Sequence, residues 1–322
     1  MMLRIPTRHA GSCLSAMVVT ACLLATPVRA QSDDPDTLNQ RAIELLIAEK
    51  FTEALPLAER YVEAMKAQYG VESPKYANAL SSVARLYVKL SRLADAEPLY
   101  KQALAIDEKA LGPVHADVAE DLANLGLFYL DADREAEAEP LMLRAVTVVE
   151  KVRGRDDFGL INPLLGLAAL YEKRGQYARV ERIYKRLLAS AERRSGSDNI
   201  EVVHWLNYLA DLYCDIGRFR DAEPLLKREL TIIEKTHGRD HWEVIKTLVD
   251  LAALYDVEGR TAAAEKLYRR ALAIKNDKHP SVAGWLNLLA EDYRDHGRNA
   301  EAELLAKRVR AISDNKFSPN RL

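Results

Sequence analysis

Cys214 and His204, ten residues apart in a sequence of 322, could serve as a nucleophile and its base. That chemistry needs a third group to orient the histidine and two donors to hold an oxyanion. Neither is legible around the pair, and a cysteine without such companions packs a helix. His237 and His241, four residues apart, could hold a divalent metal. Gly238 between them breaks a helix, and no HExxH motif or Cys/His cluster accompanies them. His241 shares a register with Ser73, His115, Asp157, Asn199 and His279, where side chains can cap the first turn of a helix. Pro74 and Pro280 follow two of these at the first helical position, where a missing N–H costs nothing. The sequence therefore predicts no catalytic residue, no metal site and no cofactor.

The elements that place these residues follow a period. Tyr87, Tyr129, Tyr171, Tyr213 and Tyr255 recur every 42 residues, and Tyr293 follows 38 later. Glu97, Glu139, Glu181, Glu223, Glu265 and Glu303 keep step. Each follows a small residue: Ala96, Ala138, Val180, Ala222, Ala264 or Ala302. Such self-similarity marks a solenoid, whose units cannot bury a core alone and so stack. Three residues before each tyrosine stand Ala84, Gly126, Ala168, Ala210, Ala252 and Ala290. Apolar residues around them return at three and four, which makes one face of a helix. Ser91, Asp133, Gly175, Gly217, Gly259 and Gly297 end that helix. A second helix carries the Ala96-to-Ala302 ladder as a close contact, with Tyr100, Met142, Tyr184, Leu226 and Tyr268 assigned to its outer register. Each unit is thus a helix hairpin. Residues 37–69 read as a degenerate capping unit, in which Leu45 replaces the tyrosine and Leu55 the glutamate.

Composition fits this picture. The chain is 48% hydrophobic and 29% charged, with few glycines and prolines, which favours helix. Net charge is −2, and becomes −5 without residues 1–30, whose charges are Arg4, Arg8 and Arg29. Such a surface has no general attraction for nucleic acid or anionic lipid. Residues 1–30 stand outside the period. A basic start, the apolar run Leu14 to Ala25 and the site Val28-Arg29-Ala30 have the layout of a secretory signal peptide. The apolar run is too short to span a bilayer well, so no transmembrane span is expected. Val19-Thr20-Ala21-Cys22 offers a second reading, a lipid anchor at Cys22, although Leu23-Leu24-Ala25 prolong the apolar run beyond it. With the leader removed, Cys214 is the remaining cysteine and no internal disulfide can form.

Leu206 to Tyr213, Gly217 to Leu226 and Leu111 to Val118 resemble the tetratricopeptide repeat, and in particular the 42-residue repeats of kinesin light chains. The resemblance covers residues 73–312 as six units, with residues 313–322 left as a tail. It implies an all-α, right-handed superhelical solenoid whose first helices line a concave groove. By register, that groove would carry Asn78, Arg85, Lys89, Asn124, Asn162, Lys173, His204, Asn207, Tyr208, Asp211, Asp215, Lys246, Asp250 and Asn287. Asn124, Asn207 and Asn287 match asparagines that bind peptide backbone in the family, and an amide suits that task because it both donates and accepts. Ala123, Leu165 and Val249 occupy positions that a clamp for a peptide carboxylate would need to be polar.

The expected function is that of an exported, periplasmic or secreted, non-enzymatic scaffold for a protein or peptide. The rival is a structural subunit of an envelope assembly, touching its partners through the convex face or the solenoid ends.

Overall fold

The computed structural model describes residues 34–274, 280–295 and 297–316. The leader, Cys22 and the cap position His279 lie outside the described residues. Within them the chain forms fourteen α-helices and two short 3-10 turns, and no strand. The helices pair in chain order: α1 (Pro35–Ile47) with α2 (Phe51–Tyr69), α3 (Pro74–Lys89) with α4 (Leu93–Leu111), and α5 (Ala116–Asp131) with α6 (Glu135–Arg153). Then come α7 (Ile161–Lys173) with α8 (Tyr177–Ser195), α9 (Val203–Asp215) with α10 (Phe219–His237), α11 (Glu243–Val257) with α12 (Thr261–Ala273), and α13 (Pro280–Asp295) with α14 (Asn299–Lys316). Helices pack mainly on their neighbours in the chain, so the array is an all-helical superhelical solenoid, with a main core running from α3 to α14 and a second cluster beneath α1–α4.

The punctuation of the hairpins is chemical. Ser73, His115, Asp157, Asn199 and His241 each accept from a backbone amide two or three residues on. Asp157 and Asn199 cap the 3-10 turns Phe158–Leu160 and Ile200–Val202, which lead into α7 and α9. The first helix of each hairpin ends on a residue with φ between 57° and 74°, from Ser91 and Asp133 to Gly175, Gly217, Gly259 and Gly297. The small positions are fully packed: Ala84, Ala168, Ala210, Ala252 and Ala290 show no exposed surface, and neither do Ala96, Ala138, Val180, Ala222 and Ala264. One assignment is corrected. Tyr100, Met142, Tyr184, Leu226 and Tyr268 are buried instead of facing outward. The 3.6-residue pitch turns this register toward the first helices of its own and the next unit, as the Tyr100–Phe128 and Tyr268–Tyr293 ring contacts show.

The glutamate and tyrosine ladders meet across units. The hydroxyls of Tyr129, Tyr171, Tyr213 and Tyr255 donate to Glu97, Glu139, Glu181 and Glu223 of the preceding unit at 2.8–3.1 Å. Arg134, Arg218, Arg260 and Arg298 add ion pairs of 2.6–2.9 Å to Glu97, Glu181, Glu223 and Glu265, each guanidinium also lying over its own unit's tyrosine ring. In the unit where Gln176 takes the arginine position, Arg174 binds Glu139 and Arg179 covers Tyr171. A second ladder ties consecutive second helices: Arg144 to Glu108, Arg186 to Glu150, Arg228 to Glu192 and Arg270 to Glu234. The repeated charges are therefore inter-unit ties.

Candidate functional site

The first helix of each hairpin carries the residues expected, from the resemblance, in a groove. On α3, Asn78, Arg85 and Lys89 are exposed. Asn124 on α5 and Asn162 on α7 line one cavity of about 310 Å³, together with Glu120 and Phe158. Lys173 at the end of α7 makes ion pairs with Asp133 (2.7 Å) and Glu135 (3.1 Å), which ties its charge to the α5–α6 turn. Asn287 on α13 is exposed.

The densest constellation lies on α9 and α11. Tyr208 is edge-on to His204 at 4.7 Å, stacked on Trp205 at 6.1 Å and tilted against Tyr184 of α8 at 5.2 Å. The Tyr184 hydroxyl donates to Glu172 at 2.8 Å. Beside this aromatic wall, the Nδ2 of Asn207 is buried without a hydrogen-bond partner. Asp211 and Asp215 follow on the same helix. On α11, Lys246 bonds Asp250 at 2.6 Å, and the Thr247 hydroxyl donates to Glu229 of α10 at 2.7 Å.

Three acids, Asp211, Glu229 and Asp250, thus bear on one lysine. Burial pushes the Asp211 and Asp250 carboxyls above the usual carboxylate range, with Lys246 pulling both back down. Burial works against the Lys246 charge too, but Asp250 and Asp211 outweigh it and raise its pKa. Burial lifts Glu229 to about 7. The same burial, with Asp211, Asp250 and Asp215 nearby, pushes the Cys214 thiol up to about 11. A thiolate is disfavoured there, which is the reverse of what a nucleophile needs. The arrangement is suited to receiving a cation or a hydrogen-bond acceptor.

Glu229, Thr247 and Tyr184 were missed as site residues. Glu229 carried a signal: its register elsewhere holds Ala103, Ala145, Leu187 and Ala271, so a glutamate there must be buried and must need partners. Asp121 and Asp107 carried the same signal. Asp121 shares the buried register of Ala79, Trp205 and Thr247, and Asp107 that of Val149, Ala191 and Ile233. Ser81 donates to Asp121 at 3.0 Å.

These buried acids set a pH dependence. Burial raises Asp121 to about 7 and Asp107 to about 6. Folding then takes up protons between the ordinary carboxylate pKa and about 7, so stability falls as pH rises through that window. Glu97, Glu181 and Glu223 act oppositely. Their leading hydrogen bonds, from Lys101, Lys185 and Arg260, hold them down at about 2, and the stability they give is lost as pH falls below the usual range. Thermal melts should therefore show a maximum near about pH 5, and Asp121→Asn should help by about 1 kcal/mol more at alkaline than at mildly acid pH. An equal effect of Asp121→Asn at both would mean that Asp121 ionises normally.

A family model described as Tetratricopeptide repeat matches residues 33–109, 117–193 and 201–277, and a second with the same description matches residues 282–319. No curated protein matches the chain. Among solved structures it is similar to BtubC (BKLC) from P. vanneervenii, with a TM-score of 0.61 and 21% identity over 71% of this chain and 94% of that one. It is also similar to the nearly identical TPR-like repeats of a kinesin light chain candidate from Podosopora anserina, with a TM-score of 0.57 and 22% identity over 65% of this chain and 100% of that one. A Rap protein complexed with competence and sporulation factor gives 0.52 and 15%, over 87% of this chain and 75% of that one. At these identities the likeness is one of fold. Among the described residues no helix is long and apolar enough to cross a membrane.

Proposed function

The chain belongs to the tetratricopeptide repeat family, and we propose that it is an exported, non-enzymatic scaffold that captures a protein or peptide on the first helices of its hairpins. Proteins of this family are suited to binding other proteins, and the fold by itself names no ligand. The observation that carries the reading is the α9–α11 constellation. Asn207 holds a buried donor without a partner, an aromatic wall of Tyr208, Trp205 and Tyr184 flanks it, and the acids beyond it outnumber Lys246. A peptide carbonyl that reaches the amide satisfies it, ligand side chains pack on the accessible rings of Tyr208 and His204, which the buried Trp205 and Tyr184 hold in place, and a basic residue meets Asp211 and Asp250. Export rests on the leader of residues 1–30.

The rival reading, contact through the solenoid ends, has its own support. Ile43, Leu46 and Ile47 on α1 and Leu304 on α14 leave apolar surface at the two ends of the array.

The test is capture from an envelope fraction with residues 31–322, followed by titration of the captured partner. Asn207→Ala combined with Asn287→Ala should weaken binding about tenfold, and binding should weaken further as salt rises. A melt checks that the double variant is folded. Unchanged affinity in a folded double variant would move the site off the first helices and favour the ends.

A further inference from the structure

The loop from α10 to α11 gathers side chains that the other described loops do not. His237 is the last residue of α10, His241 caps the start of α11, and Glu243 is its first residue. His237 Nε2 stands 3.2 Å from Glu243 Oε2, and His241 Nδ1 stands 3.7 Å from the same oxygen. One ligand atom from each of the three residues lies within 4.8 Å of the others. The two imidazoles stack with centroids 4.5 Å apart and planes at 22°. The sequence reading set a metal aside because Gly238 breaks the helix between the histidines. The structure shows that the break is what brings them together. With φ at 94°, Gly238 turns the chain so that the end of one helix and the start of the next share a corner.

We propose that His237, His241 and Glu243 form a zinc-binding site that pins this corner. A tetrahedral zinc with bonds of about 2.0–2.1 Å sets its ligand atoms roughly 3.3 Å apart. The separations of 3.2 and 3.7 Å around Glu243 are near that value, and binding would require one imidazole to turn out of the stack so that both nitrogens point at a common centre. Two imidazole nitrogens and one carboxylate oxygen suit zinc better than magnesium or calcium, which prefer all-oxygen sets. Three protein ligands leave one position for water or for a group from a partner. The carbonyl end of α10 favours a cation at this corner and the amide end of α11 opposes it, so the helix dipoles decide nothing and the three ligands carry the site. Glu243 and His241 are half-buried and His237 is exposed, so the corner is both held and reachable.

A zinc ion would share His241 with its capping role. Its Nδ1 accepts from the Glu243 amide across 3.4 Å, a long bond that is easily given up. His115 isolates the cap from the metal. It makes the same contacts to Asp117, 3.3 Å from the amide and 3.7 Å from the carboxylate, but Leu111 stands where His237 would be.

The experiment is titration of zinc chloride into the full chain, read by calorimetry and by the fluorescence of Trp242, whose ring lies 5.3 Å from that of His241. One equivalent should bind in the micromolar range or tighter and raise the melting temperature. His237→Ala and Glu243→Gln should each weaken zinc by about 100-fold or more, and His115→Ala should leave it unchanged. His241→Asn keeps a competent cap, as Asn199 shows for its own turn, and removes the imidazole. It should fold with unchanged metal-free stability and lose zinc. Absence of saturable binding, or zinc binding by His237→Ala or His241→Asn as tight as that of the parent chain, would overturn the site. Neither result bears on peptide capture, which is read separately through Asn207 and Asn287.

Discussion

Ala222→Leu should cost about 2–3 kcal/mol of stability, because leucine adds three carbons where the structure holds no space. Ala222 has no exposed surface, nor do its counterparts Ala96, Ala138 and Ala264. It sits at the start of α10, where that helix lies against α9. How little room such positions leave is plain at Met142, whose side chain is enclosed by two glycines. A Cβ at Gly126 would come within 2.9 Å of Met142 Cγ, and one at Gly166 within 2.5 Å of its Cε. The position that is alanine elsewhere becomes glycine there because the facing side chain is deeper. The neighbouring Asp221 is the control. It is exposed and its partner is Arg218 at 2.7 Å on the solvent side, so Asp221→Ala should cost about 0.5 kcal/mol or less. Denaturant melts of both variants decide the matter. Equal losses would mean that the helix faces are assigned wrongly.

The hairpins were legible because a period multiplies weak signals. One Ser73 or one Gly217 says little, but a capping or left-handed residue recurring every 42 positions fixes both ends of a helix. The same multiplication would have exposed two ladders that went unread. Arg92, Arg134, Arg218, Arg260 and Arg298 share the register of Gln176, and Gly70, Gly112, Gly154, Gly196 and Gly238 end the second helices with φ of 83–94°. The arginines were passed over because a charge on a helix usually faces water. Here its aliphatic stem and flat guanidinium cover a tyrosine while the charge reaches a glutamate of the previous unit. The site was harder to read. Asn207, Lys246 and Asp250 could be placed on a face by register, but no register tells that three acids from α9, α10 and α11 converge on one lysine. That depends on the depth at which each side chain packs. The His237–His241–Glu243 corner failed for a related reason, since spacing along a helix does not apply across a turn.

Glu181→Ala should be the most disruptive change on the partly exposed surface, at about 2–3 kcal/mol. The carboxylate of α8 accepts from the Tyr213 hydroxyl (2.8 Å) and the Arg218 guanidinium (2.7 Å) of the next unit, and from Lys185 (2.6 Å) of its own helix. Hydrogen bonds to a charged group are worth about 1.5–3 kcal/mol each in sheltered settings and much less when open to water. Glu181 is 18% exposed and Lys185 is 55% exposed, so the inter-unit bonds should carry most of the loss. Lys185→Ala should then be nearly neutral, and Glu181→Gln should fall between, because an amide oxygen still accepts from Tyr213. The shape of the transition should change as well. In a solenoid each unit touches only its neighbours, so a weakened joint between α8 and α9 lets the two sides unfold separately. Hydrogen exchange should show α1–α8 and α9–α14 opening at different free energies in Glu181→Ala, and the loss relative to the parent should shrink at high salt. A Glu181→Ala variant that melts in one step, within about 0.5 kcal/mol of Lys185→Ala, would show that apolar packing alone joins the units and that the ladder of glutamate, tyrosine and arginine adds no stability.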